Sequence, residues 1–161
     1  MLDSKEVFDV KEKYIPAPEV EKVAMELIAK YHPHLAEAKI AYVFKKDSWS
    51  KNGKWILGSA HKCSEKEKLL HGYDFIITIN RDSWMLFTED KREAVVDHEL
   101  CHCGKSEDGK YILVPHDIED FAAVIRRHGL YKDDVRQFSM AIRQVSLFDT
   151  KPELRVIGGS E

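Results

Sequence analysis

Apolar residues first recur at helical spacing over residues 19–31, where Val20, Val23, Ala24, Leu27 and Ile28 share one face. Pro16-Ala17-Pro18 punctuates the start of this predicted helix and Pro33 stops it. The period then drops to two. Ile40, Tyr42 and Phe44 alternate with Ala41 and Val43 in a strand over 40–45, Asn52-Gly53 signals a hairpin before a second strand over 55–62, and a third spans 73–80. These three strands predict a small, largely antiparallel sheet. Helical spacing returns after Thr88, a side chain able to cap a helix whose first turn carries Glu89 and Asp90 where the dipole favours acids. Ala94, Val95, Leu100 and the aliphatic stem of Arg92 supply a partial apolar stripe, and Gly104 is placed to end the helix after Cys103. A loop and strand over 105–114 and helices over 118–128 and 133–145 complete the pattern. The fold class is α+β, with an N-terminal helix, a small sheet, a central helix and C-terminal helices.

Composition adds bounds to this layout. With 161 residues, 43% apolar and 33% charged, the chain suits one soluble domain, expected over 1–148. Residues 149–161, with Pro152, Gly158 and Gly159, read as a tail with a short strand at 154–157. The net charge of −3 comes from interleaved acids and bases, so neither a nucleic-acid footprint nor a basic membrane patch is expected. Lysine-rich stretches such as 62–68 read as solvated faces. No apolar run reaches the length of a membrane span and the N-terminus lacks signal-peptide character, which points to the cytoplasm. Three cysteines, Cys63, Cys101 and Cys103, make no disulfide framework. Cys101 and Cys103 are expected as structural residues, Cys101 as a small buried one.

Chemistry concentrates in His98-Glu99-Leu100-Cys101-His102, the HExxH pattern. On a helix, histidines four apart differ by about 40° in azimuth and about 6 Å in height, so both can reach one metal ion. Glu99 then lies beside the metal, where its carboxylate can accept a proton from the attacking water and return one to a leaving amine. Catalytic zinc usually takes three protein ligands and a water. The segment His116-Asp117-Ile118-Glu119-Asp120-Phe121 is the expected source of the third. His116, near a helix start after Pro115, is preferred as a neutral imidazole; Glu119, one helical turn on, is the rival. Asp117 and Asp120 could cap that helix or orient a ligand.

The remaining histidines, His32, His34, His61, His71 and His128, lack ligand spacing and are expected to be surface or packed residues. Among them His61, on a strand before the motif helix, invites most interest. Trp49, Trp55 and Trp84 are expected in the core or against the sheet, and Tyr111 could assist oxyanion stabilisation only if it faced the site.

The run REAVVDHELCHC over 92–103, with the later HDIEDF and Gly129, resembles the phage metallopeptidase family, small zincins distantly similar to SprT-like proteases. The resemblance spans roughly residues 15–145. It implies a compact zincin core, with His98, His102 and His116 at metal positions and Glu99 at the catalytic one, and it implies no particular substrate. The function expected is a zinc-dependent peptidase acting on a peptide or protein, with a strand from 54–80 bordering the metal cleft. The alternative is a non-catalytic, zinc-stabilised binding or regulatory module. A peptidase dedicated to a single regulatory protein would look the same in sequence.

Overall fold

Pro18 stands in the first turn of helix α1 (Pro18–Tyr31), where its missing N–H has no intrahelical partner to lose. The helical period then places Val20, Ala24 and Leu27 on the buried face. The computed structural model describes residues 12–47 and 49–147. The proposed tail and its strand at 154–157 lie outside the described residues. The chain divides into two compact units, 1–114 and 115–161.

In the N-terminal unit a 3-10 turn (Pro33–Leu35) follows α1 and buries Leu35. The main sheet comprises β1 (Tyr14–Pro16), β2 (Ile40–Lys45), β6 (Phe75–Asn80) and β5 (Gly58–Lys62), in that order. β1/β2 and β6/β5 are antiparallel, but the central pair β2/β6 is parallel, with Ile40 opposite Phe75 and Lys45 opposite Asn80. The expected three-stranded sheet thus has a fourth strand and a parallel centre. Burial explains the order: β6 contributes Phe75, Ile77 and Ile79, all fully buried, and takes an interior position, whereas β5 (GSAHK) is too polar for one and lies at an edge. Asn52 and Gly53 both adopt left-handed backbone, as their hairpin turn demands. That turn joins only β3 (Ser50–Lys51) to β4 (Lys54–Trp55), a ribbon apart from the main sheet, and Trp55 is exposed, against expectation.

Two short helices were hidden in charged or polar stretches. α2 (Glu65–His71) opens with a capping box: the Glu67 N–H donates to Ser64 Oγ at 3.2 Å, and the Ser64 N–H to Glu67 Oε2 at 2.7 Å. α3 (Arg81–Leu86) is capped by Asn80, a buried residue whose Oδ1 accepts the Ser83 N–H and whose Nδ2 donates to the Ile56 carbonyl. α3 delivers Trp84 into the core, where it meets Phe44, donates from Nε1 to Glu19 and lies under the Arg92 guanidinium. Helix α4 (Glu89–His102) packs against α1 and β5 and closes that core. It leads directly into the hairpin β7 (Cys103–Lys105) and β8 (Tyr111–Leu113). Gly104 therefore lies in a strand and is not a left-handed helix cap; a Cβ there would come 2.5 Å from Val114 Cγ2. Among the described residues no helix is long and apolar enough to cross a membrane.

The C-terminal unit contains α5 (Ala122–His128) and α6 (Asp133–Leu147). The helix expected from residue 118 starts only at Ala122. Asp120 is committed elsewhere: its carboxylate accepts from the Phe121 N–H at 2.7 Å and the Tyr131 hydroxyl at 2.6 Å, and pairs with Lys132 at 3.3 Å.

Asp74 joins several elements at the start of β6. Its carboxylate accepts from the Lys39 N–H and the Lys68 ammonium at 2.8 and 2.7 Å, while its backbone bonds Lys39 and Cys63. Burial alone would raise its carboxyl pKa, but the Lys68 and Lys39 hydrogen bonds outweigh it and hold it below the ordinary value. A depressed folded value gives stability that is present above the unfolded pKa and lost as pH falls through the folded one. Asp74→Ala should therefore cost about 1–3 kcal/mol in urea unfolding at neutral pH. The gap from wild type should shrink on acidification through the carboxylate range; a gap independent of pH would show that the charge contributes nothing.

Candidate functional site

The site is built on α4, whose first turn is set by Thr88: its hydroxyl accepts the Lys91 N–H at 3.3 Å, with Glu89 and Asp90 beside it. The buried stripe runs through Val95, Val96, Glu99 and Leu100 and continues to Cys103, while Ala94, expected on that face, is exposed. Glu99 thus occupies a position where helical periodicity calls for an apolar side chain. It is only 5% exposed. Burial pushes its carboxyl up to about 7, against the opposing pull of His102.

The strand that permits this burial is β5. A Cβ added at Gly58 would lie 3.0 Å from Glu99 Oε1, 3.1 Å from Glu99 Cγ and 3.0 Å from Ile79 Cδ1. A strand within 54–80 accordingly borders the motif glutamate, and glycine at this point lets helix and sheet edge approach.

His98 is exposed and His102 half-buried, one turn apart. Their rings are 5.1 Å between centroids at 75°, and a nitrogen of each lies within 4.8 Å of the other. His102 is oriented by Val114 through two bonds: Nδ1–H donates to the Val114 carbonyl at 2.6 Å, and the Val114 N–H donates back to the His102 carbonyl at 2.7 Å. With Nδ1 protonated, Nε2 carries the lone pair that a metal requires. The donor set therefore suits a zinc-class ion. His116 and Glu119 fall in the irregular segment ahead of α5, both exposed, so the helical-turn relation that made Glu119 a rival is absent.

Two histidines expected to be bland are braces of the motif helix. Buried His32 donates from Nε2 to Asp97 Oδ1 at 2.6 Å, and His34 Nε2 donates to the Cys103 carbonyl at 2.8 Å, at the helix end. Their partners are 65 and 69 residues away in sequence, a separation at which no local spacing signal exists. Cys101 is exposed, contrary to expectation, because it faces away from the Val96–Leu100 stripe. Cys103 is buried; burial pushes its thiol up to about 12, and Sγ donates to the Glu99 carbonyl. Tyr111 packs edge-on against Phe75.

The family described as "Putative phage metallopeptidase" matches residues 12–143 of the chain. A search of curated proteins and a search of solved structures each give no match.

The contact at Gly58 yields a direct prediction. In a Gly58→Ala variant the fold should persist, because the nearest atom belongs to the movable end of a side chain, but the Glu99 carboxylate should shift by a few tenths of an ångström. A crystal structure of the variant checks this, and an unmoved Glu99 would refute the tight contact.

Proposed function

We propose that this chain, which belongs to the phage metallopeptidase family, is a zinc-dependent peptidase with His98, His102 and His116 as the metal ligands and Glu99 as the general base. The observation that carries the reading is Glu99 itself. A carboxylate in a core position of the helix, between two histidines with neighbouring ligand nitrogens, costs stability and needs a chemical reason. A purely structural zinc site, closed by four protein ligands, would have no use for it.

His116 supports the set through chain connectivity. Val114 is clamped to His102 by both backbone groups, and only Pro115 separates it from His116. Two peptide units span at most about 7.6 Å between Cα atoms, so the tether itself keeps the imidazole in the neighbourhood. Three neutral imidazoles also leave the ion's charge undiminished, which favours a low pKa for its water.

When bound, zinc polarises the scissile carbonyl and acidifies the attacking water. Glu99 takes the proton from that water and passes it to the leaving amine; burial tunes the carboxyl toward the neutral range, where acceptance and release are both accessible. The Gly58 end of β5, an outer strand, would guide an extended peptide past Glu99 through main-chain hydrogen bonds. His32 and His34 keep the helix from shifting as the substrate is gripped.

Glu99→Gln should retain stoichiometric zinc and lose about 10² to 10⁴ in peptide-cleavage rate. Zinc analysis and peptide-library cleavage on the same preparation check it; zinc lost from a folded variant would put Glu99 in the metal shell. His116→Ala should release zinc readily at neutral pH, whereas Glu119→Gln should retain it with at most about a 10-fold to 100-fold loss in affinity or activity. The reverse pattern would transfer the third ligand to Glu119.

A further inference from the structure

Strand alternation separates β5 into two faces. Gly58 and Ala60 point toward α4 and Glu99, whereas His61, paired with Ile76, belongs to the opposite face of the sheet. There His61 meets two residues of different character. His61 Nε2 lies 3.0 and 3.2 Å from the two carboxylate oxygens of Glu67, and ligand atoms of His61, Cys63 and Glu67 all fall within 4.8 Å of one another. We infer that His61, Cys63 and Glu67 form a second cation site, for a zinc-class transition metal, which clamps the exit of β5 to the first turn of α2.

The donor set is one imidazole, one thiol and one carboxylate, a mixture that suits zinc or cobalt and disfavours calcium or magnesium, which take oxygen ligands. The arrangement is preorganised by the backbone. His61 lies in β5 and Cys63 just past its end, where the Cys63 N–H donates to the Asp74 carbonyl, and their ligand atoms fall on one side within 4.8 Å. Glu67 is fixed by the capping box: Oε2 accepts the Ser64 N–H at 2.7 Å, so Oε1 can meet a metal without releasing the helix cap. At zinc–ligand distances of about 2.0–2.3 Å, tetrahedral donors stand about 3.3–3.8 Å apart; His61 and Glu67 are already near that spacing, and Cys63 needs to close by no more than about 1.5 Å. Cys63 is nearly buried yet lines a recess of about 700 Å³ with Lys62, Lys68, Asp74 and Tyr111, while His61 is exposed to solvent. As the metal binds, the thiol proton leaves to solvent, and the Nε2 proton that His61 gives to Glu67 is displaced to solvent or to Nδ1.

This site does not rest on the peptidase reading, and cobalt(II) separates the two because a thiolate ligand gives a near-ultraviolet charge-transfer band that imidazoles do not. Titration of the full chain should produce the band. In a His98→Ala/His102→Ala variant the band should persist, with the motif-site metal removed. Cys63→Ser and, independently, His61→Ala should each abolish it and weaken cobalt binding at this site by more than about tenfold. His61 is exposed, so its variant tests the site even if Cys63→Ser fails to fold. Absence of the band from the wild-type chain overturns the site, and a band that survives Cys63→Ser does so too, since the thiolate would then be Cys101 or Cys103.

Discussion

A carboxylate pressed against a glycine governs this architecture. Glu99 stands in the buried stripe of α4, and it packs closely there because the sheet edge offers no side chain opposite it. Gly58 does this, and Ile79 fills the flank. The cost is twofold, since burial penalises the ionised acid and glycine weakens a strand. Both costs fall on one contact, the pattern expected where function overrides stability.

The rest of the N-terminal unit holds α4 in the register that this contact needs. His32 fixes Asp97 near the middle of the helix, His34 fixes the carbonyl at its end, and Val114 locks His102 through its ring and its backbone. Hydrogen bonds of this kind contribute about 0.5–1.5 kcal/mol each, or about 1.5–3 when charged, so together they can offset much of what Glu99 costs. They act beside the chemistry: Asp97 precedes His98, and Cys103 follows His102. A displacement of either brace would therefore reach a proposed ligand through one peptide unit.

Much of this was legible in the chain. Thr88, the acids after it and the HExxH spacing define α4 because capping and periodicity are local, and the α+β character follows from the change of period after Pro33. Strand existence was equally readable, but strand order was not: placing β6 between β2 and β5 depends on which strand tolerates burial on both sides. Gly104 was misread because a glycine after a helix fits both a left-handed cap and a close approach of strands, and only packing against Val114 distinguishes them. The start of α5 was misplaced because Asp120 spends its carboxylate on Phe121, Tyr131 and Lys132. The Ser64 and Glu67 capping box was present in the sequence, yet a run of charges masked it. Gly58, His32 and His34 carried no local signal, since each acts on a partner brought close only by the fold.

In the proposed site an imidazole set holds the metal while Glu99 stays outside its shell. Diffraction from zinc-loaded crystals, with anomalous data on either side of the zinc edge, tests it most directly. A peak is expected about 2.0–2.1 Å from nitrogens of His98, His102 and His116, with no Glu99 oxygen in bonding range. A peak bonded to Glu99, a shell closed by a fourth protein ligand, or no peak at His98 and His102 would contradict it.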